Sequence, residues 1–421
     1  MTPLARAAGT GRSVVVDRCQ VCDSPDLESV LFLGFLPPVN QMRTVGDKPH
    51  EQPAYPAEML LCRKCTLVQI GLIVDPAILF PPEYPYSSGT TRILRENFAE
   101  MQREATPLLG LKGTELVVDV GSNDGTLLQP FHKAGHPVCG IEPTLMADVA
   151  NRNGIRSIMK FFNPESAAQA VRECGKARVV TATNVFAHIE GVHDIVESVI
   201  AMLDDQGVFI SESHYLMSLI ETVQYDTIYH EHLRYYSLGS LQHLFNMHGL
   251  EIIHAKRIPT HGGSIRVYAA RRGSRPVQPS VAEILESEQQ AGTLSDRLKK
   301  FRHDVALSKA KLYALLADMI AKGARIYGVG APSRASTLIN YVGLDRELVD
   351  CVVEIAGSYK VGKYMPGTLI PVVDEQRLFD DQADYAMLLS WHIADELIPK
   401  LKARGFRGKF IVPLPDPHVV S

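Results

Sequence analysis

The sequence predicts an α/β protein in three parts: a small N-terminal module closed by cysteines, a doubly wound α/β domain, and a second, Rossmann-like α/β domain at the C-terminus. Three observations carry this expectation. Two C-x2-C pairs stand near the N-terminus, a strand–turn–helix pattern begins at Leu116, and a second such pattern begins after Gly323. The expected boundaries are 1–75, 76–270 and 271–421.

A chain of 421 residues, 46% hydrophobic and 21% charged, has enough apolar side chain for several real cores. A net charge of −4 gives no electrostatic case for nucleic acid or for a membrane surface. No apolar run reaches the length of a membrane span, and MTPLARAAGTGRSVVVDR lacks a signal-peptide core. A cytoplasmic protein is expected; a monomer is compatible with the sequence, which does not specify oligomeric state. Seven cysteines in so long a chain are no disulfide framework.

Cys19-Gln-Val-Cys22 and Cys62-Arg-Lys-Cys65 each place two thiolates on one side of a turn. Together they complete the S4 shell that Zn2+ prefers, with iron as the alternative. No fifth ligand is suggested nearby, so the site reads as closed and structural. The segment between, with Pro37, Pro38, Pro49, Pro53 and Pro56, is too turn-rich to promise much core, and metal would supply the missing stability. FPPEYPYSSGTT, residues 80–91, reads as an irregular loop, either lid or linker, offering the hydroxyls of Tyr84 and Tyr86.

From there helix and strand alternate. Helices are expected over 92–110, 126–134, 145–153 and 192–203, and strands over 116–120, 137–142, 156–159, 177–183 and 207–211. The first strand ends in Asp119 and the turn Gly121-Ser-Asn123-Asp124-Gly125, which lets backbone approach a ligand at the carboxyl edge of the sheet. Glu142, ending the second strand, is placed to accept both hydroxyls of a ribose. The dinucleotide pattern G-x-G-x-x-G is broken here, because Asn123 stands where its middle glycine would be. That favours a nucleoside without a pyrophosphate at the turn. S-adenosylmethionine fits, since its amine needs acceptors such as Asp119. Asn184 and His188 follow the fourth strand, at the edge where substrate would lie.

Tyr229-His230-Glu231-His232 crowds three ionisable groups and a phenol into four positions. If locally helical, Tyr229 and His232 share a face. The spacing lacks H-E-x-x-H, so acid–base chemistry is the better reading than a metal. His261-Gly262-Gly263 is either a cleft-lining turn or a hairpin corner.

Residues 281–322 read as one long or two shorter amphipathic connector helices. Beyond them a strand, the Gly328-Val-Gly330 turn and a helix starting near Pro332 make an expected anion site, with Ser333 and Arg334 at hand. Glu354 would end the next strand in position for a ribose, and Trp391 and His392 would reach the edge from a later one. An NAD site survives as a rival here.

The double C-x2-C, the YPYSSG loop, the GSNDG turn, Y-x-E-H, H-G-G and G-x-G-A, in this order, resemble one family. It is the S-adenosylmethionine-dependent nucleotide-sugar C-methyltransferases of antibiotic deoxysugar pathways. The nearest type is the C-3′-methyltransferases of dTDP-linked 4-keto deoxysugars, as in the tetronitrose pathway. The resemblance spans nearly the whole chain. It implies a structural zinc held by Cys19, Cys22, Cys62 and Cys65, a class I methyltransferase domain, and a C-terminal domain that anchors the nucleotide sugar. Tyr84, His188, Tyr229, Glu231 and His232 would surround the sugar, with His232 as base, while His230 fills the variable position. Two departures stand out: the loop is one residue shorter, and G-A-P-S-R replaces a plainer Ala/Lys version. The implied reaction is methylation of a sugar carbon through an enolate, with Tyr229 donating to its oxygen and Glu231 orienting His232. The rivals are O- or N-methylation of a related sugar, an NAD-dependent sugar-modifying enzyme, and a non-catalytic zinc-containing assembly protein.

Overall fold

The computed structural model describes residues 7–8, 13–48, 50–79 and 92–421. Tyr84, Tyr86 and the loop that carries them lie outside the described residues.

The N-terminal module is an antiparallel sheet in the order Arg234–Tyr235, Val68–Ile70, Tyr55–Cys62, Leu27–Leu36. Its first strand is borrowed. Arg234 pairs with Gln69 and Tyr235 with Val68, so two residues just past His232 belong to the cysteine module's sheet. The expectation of a thin core is corrected for the same reason. Met59, Leu67, Val68 and Ile70 are fully buried, in one cluster with Phe186, Tyr235 and Tyr236 of the next domain. Burial against a neighbour gives a small module the apolar contact its own size denies it.

The central sheet has seven strands in the order Leu250–Ile258, Ser264–Arg271, Leu203–His214, Ala177–Thr183, Val117–Val120, Val138–Ile141, Ser157–Ile158. The last five run parallel, and Ser264–Arg271 is antiparallel to both its neighbours. This strand order is the one expected of a class I methyltransferase domain. The central strands bury both faces, which explains why they read as apolar runs without alternation. The 261–263 turn is the hairpin corner between Ile258 and Ser264. Helix Arg92–Leu109 covers the sheet, and the fully buried Arg266 ties it down through Glu212, Glu100 and Glu104.

The connector is two helices, Pro279–Gln290 and Leu294–Ala321, broken at Gly292 with a φ of 88° and restarted by Thr293, whose hydroxyl accepts from the Asp296 N–H at 3.2 Å. The C-terminal sheet has the order Val372–Asp374, Cys351–Glu354, Ile326–Val329, Tyr385–Leu388, Lys409–Val412, His418–Val420, parallel up to its last strand. An arm of the cysteine module zips onto this domain: Thr44 bridges Lys363, the Val45 N–H donates to Gly362 O at 2.8 Å, and Tyr364 N–H donates to Arg43 O at 2.8 Å. Among the described residues, no helix is long and apolar enough to cross a membrane.

Candidate active site

The carboxyl edge of the central sheet opens into a cavity of about 2030 Å³ that reaches the C-terminal domain. At one end lies the glycine turn. Gly121 has a φ of 70°, and a Cβ there would sit 2.4 Å from a Val185 methyl, so only glycine suits. Glu142 Oε2 accepts the Asn123 N–H at 3.0 Å while its Oε1 accepts the Thr144 N–H at 2.9 Å and hydroxyl at 2.6 Å. Asp119 accepts the Thr181 hydroxyl at 2.6 Å; burial, with Glu142 and Glu212 adding, pushes its carboxyl up to about 8. A cationic ligand would relieve that penalty.

Asp119, Gly121, Asn123, Glu142 and Asn184 line the cavity. Asp124 and Gly125 stand behind that wall and shape the turn. Asp124 closes the turn by accepting from the Thr126 N–H and hydroxyl, and a Cβ on Gly125, at a φ of 81°, would lie 3.0 Å from the Ile155 side chain. The Ser122 hydroxyl is buried in this wall without a hydrogen-bond partner. A carboxylate-rich cradle, with Asp119 and Glu142 in its wall, suits a cationic nucleoside such as S-adenosylmethionine.

Across the cavity stands the Tyr229–His232 segment. It is a tight turn rather than a helix, closed by the His232 N–H donating to Tyr229 O at 2.9 Å. Pairing of the next residues with the cysteine module's sheet outcompetes helix formation here. The expected meeting of Tyr229 and His232 still occurs, with ring centroids 4.1 Å apart. His232 Nδ1 lies 2.7 Å from Thr227 O; a carbonyl only accepts, so Nδ1 carries the proton and Nε2 is left as the acceptor. The Thr227 carbonyl therefore orients this imidazole, a role the sequence had suggested for Glu231. Burial, reinforced by His188, pulls the His232 pKa well below its ordinary value. Burial pushes the Tyr229 phenol well up, with Glu231 adding, so it stays a donor.

His188 packs edge-on to His232 at 4.8 Å, and burial first, then Arg234 and His261, lowers it to about 4. Sequence reading missed His214, 4.9 Å from His232 and 5.6 Å from His261. The strand expected over 207–211 runs on to His214, and that length was its signal. His261 itself lines the cavity at a φ of 56°, with its Nε2 buried and without a hydrogen-bond partner. Gly262 does not line it; a Cβ there would press on Gln224 Oε1 at 2.7 Å. His230 turns away, Nε2 donating to Pro56 O at 3.1 Å.

From the C-terminal domain Ser333, Arg334 and His392 reach the cavity. Arg334 is not a free anion site. Nε and Nη2 donate to Asp226 at 2.8 and 2.9 Å, Nη2 also to Gln224 at 3.0 Å, and Nη1 to His392 Nδ1 at 3.0 Å and His261 O at 3.4 Å. That uses all of its donors. Gly330 and Glu354 stay out of the cavity wall; Glu354 Oε2 accepts the Ala331 N–H at 2.7 Å and closes its own turn.

The four cysteine Sγ atoms lie within 4.8 Å of one another, the only such ligand group among the described residues. Cys19–Cys65 and Cys22–Cys62 approach to 3.4 and 3.5 Å, close to the edge of a tetrahedron with Zn–S bonds of about 2.3 Å. The Val21 and Cys22 N–H groups point at Cys19 Sγ, as a zinc knuckle requires. The residues fit a structural zinc.

Comparison with known proteins agrees with this geometry. Residues 19–80 match a zinc binding domain, 92–255 a methyltransferase domain, and 259–415 a C-methyltransferase C-terminal domain. C-methyltransferase NovU of Streptomyces niveus is 33% identical over 412 residues, 96% of this chain and 97% of that protein. Among solved structures, magnesium protoporphyrin IX methyltransferase of Synechocystis PCC 6803 is 17% identical over 42% of this chain and 82% of its own, at a TM-score of 0.33. The CcbJ methyltransferase of Streptomyces caelestis is 16% identical over 41% of this chain and 90% of its own, at 0.32. Those two likenesses are too slight to argue from, but the match to NovU runs end to end. The chain belongs to the family of S-adenosylmethionine-dependent C-methyltransferases that includes NovU.

Proposed function

We propose that this enzyme methylates a sugar carbon, C-3′, of a dTDP-linked 4-keto deoxysugar, with His232 as the base that makes the carbon nucleophilic. The observation that carries the proposal is the fixed tautomer of His232, whose Nε2 is left as acceptor in a cavity that spans the donor cradle and the C-terminal domain.

S-adenosylmethionine supplies a methyl group on a positively charged sulfur, which only an electron-rich atom will take. A sugar C–H becomes acidic when a ketone sits on the neighbouring carbon. His232 Nε2 removes that proton, and the C–H electron pair moves toward the ketone oxygen. Tyr229, kept protonated by burial, donates to that oxygen as its charge grows. A neutral His232 is required for the first step, and its burial keeps it neutral. His188 bonds the backbone of Glu231 and packs edge-on against His232, holding the turn. The Glu231 carboxylate faces the sugar and accepts from its substituents. Asp119, Gly121, Asn123, Glu142 and Asn184 hold the donor, and Ser333, His261 and His392 line the acceptor side. The expected parts at 1–75, 76–270 and 271–421 would then hold zinc, donor and nucleotide sugar.

Incubation with methyl-labelled S-adenosylmethionine and a panel of 4-keto nucleotide sugars tests this. The label is expected on carbon, adjacent to the ketone, by NMR. Label on oxygen or nitrogen, or turnover of sugars lacking the ketone, would reject it.

A further inference from the structure

The cysteine module places a side chain directly behind the wall of the reaction site, against two residues that line it. Asn40 follows strand Leu27–Leu36 through Pro37, Pro38 and Val39. Its Nδ2 donates to Glu231 Oε1 at 2.8 Å, and its Oδ1 accepts from Ser333 Oγ at 3.3 Å. One amide therefore touches the Tyr229–His232 turn and the first residue of helix Ser333–Val342. These contacts exist only when all three parts of the chain are docked.

The backbone around Asn40 has little freedom. The Gln41 N–H donates to Pro38 O at 3.1 Å, and its side chain to Ile78 O at 3.2 Å. Residues 43–45 pair with 362–364 of the C-terminal domain. Pro37 lies so close to Gly367 that a Cβ there would come within 2.9 Å of its ring. The amide is thus aimed by its surroundings. An amide N–H meeting a buried carboxylate makes a charge-assisted bond, and fixes which way the second oxygen points.

We propose that Asn40 is a positioning residue for methyl transfer: its amide, delivered by the zinc-binding module, sets the orientation of the Glu231 carboxylate toward the sugar. The module nominally devoted to structure then takes part in arranging the acceptor, and the site is complete only in the docked three-part chain. This rests on the reading of Glu231 as a sugar-facing group.

The test compares Asn40→Asp, Asn40→Ala and Glu231→Gln in the zinc-loaded full-length enzyme, with a dTDP-linked 4-keto-6-deoxyhexose as acceptor. Asn40→Asp keeps the shape but sets an acceptor against an acceptor. It should lower kcat/KM for the sugar by about 10- to 100-fold, the size of one lost hydrogen bond to a charged group. It should also be worse than Asn40→Ala, whereas a packing role would make the isosteric aspartate the milder change. Donor Kd and zinc content should stay at wild-type values. Should Asn40→Asp lose its zinc, Asn40→Ser, a polar side chain too short to span Glu231 and Ser333, is read in its place. Wild-type sugar kinetics, an aspartate milder than alanine, or a parallel loss of donor affinity would each overturn the proposal. An active Glu231→Gln would instead show that the reading of Glu231 itself is wrong.

Discussion

Arg334 and Asp226, 108 positions apart, form a two-pronged ion pair at 2.8 and 2.9 Å with side chains 7% and 1% exposed. Trp391 Nε1 donates to the same carboxylate at 2.8 Å, and the guanidinium lies over its ring, 5.0 Å from the centroid. The pair pins the C-terminal domain to the segment that leads into His232. Arg334→Ala leaves a buried carboxylate facing a void and should cost roughly 3–5 kcal/mol. Urea unfolding of the full chain measures this. A change below about 1 kcal/mol would show that the pair does not hold the interface.

His232→Asn should reduce turnover by about two to four orders of magnitude, the range for a positioned base. It should equally suppress exchange of the sugar C–H with D2O, while leaving donor binding almost unchanged. Exchange that persists in the variant would assign the base elsewhere in the imidazole cluster, His188 and His214 being next to it.

Stability should fall with acid in a defined window. Burial holds His188, His230 and His261 at about 4 in the folded chain, against 6.5 for a free imidazole. The folded values are the lower ones. The unfolded chain therefore binds more protons between these pH values, and the stability present above about 6.5 is lost as pH falls toward 4. Urea midpoints at pH 7 and pH 5 should differ accordingly. His230→Asn, at a site outside the cavity, should make the slope shallower; identical slopes in variant and wild type would contradict this.

Zinc removal should abolish turnover although no cysteine touches the cavity. Strand Val68–Ile70 pairs with Arg234 and Tyr235, and the Ile70 N–H donates to Leu233 O at 3.0 Å, one residue from His232. Loosening the module loosens the base. A chelated sample should lose methyl transfer while its methyltransferase sheet persists by circular dichroism. Full activity of metal-free protein would refute the coupling.

Gly121→Ala should abolish donor binding, since a Cβ at 2.4 Å from Val185 cannot be accommodated at a φ of 70°. Isothermal titration with S-adenosylmethionine reads this directly, and near-normal affinity would move the donor away from the turn.

Much of this enzyme was legible from residue order. Local patterns located most strands of the two α/β sheets, though not Leu250–Ile258, Lys409–Val412 or His418–Val420, because strand and helix periodicities are properties of neighbours in the chain. The cysteine pairs and Gly121 were readable for a related reason, since a knuckle or a tight turn is built from residues a few positions apart. The Tyr229–His232 turn was found by its crowding of ionisable groups, although its backbone was read only conditionally, as a helix if locally so. Propensity cannot register a strand partner more than 150 positions upstream.

What the sequence alone determined is the set of local devices: a metal knuckle, a donor turn, an acid–base cluster and a second glycine turn. Only the tertiary structure decided that Thr227 sets the tautomer of His232, that His214 joins the imidazoles, that Arg334 is consumed by Asp226, and that Asn40 reaches Glu231. Each of those is a contact between side chains or backbone groups whose meeting depends on how separate elements dock. Docking is set by the fit of whole surfaces, and no short window of sequence contains it.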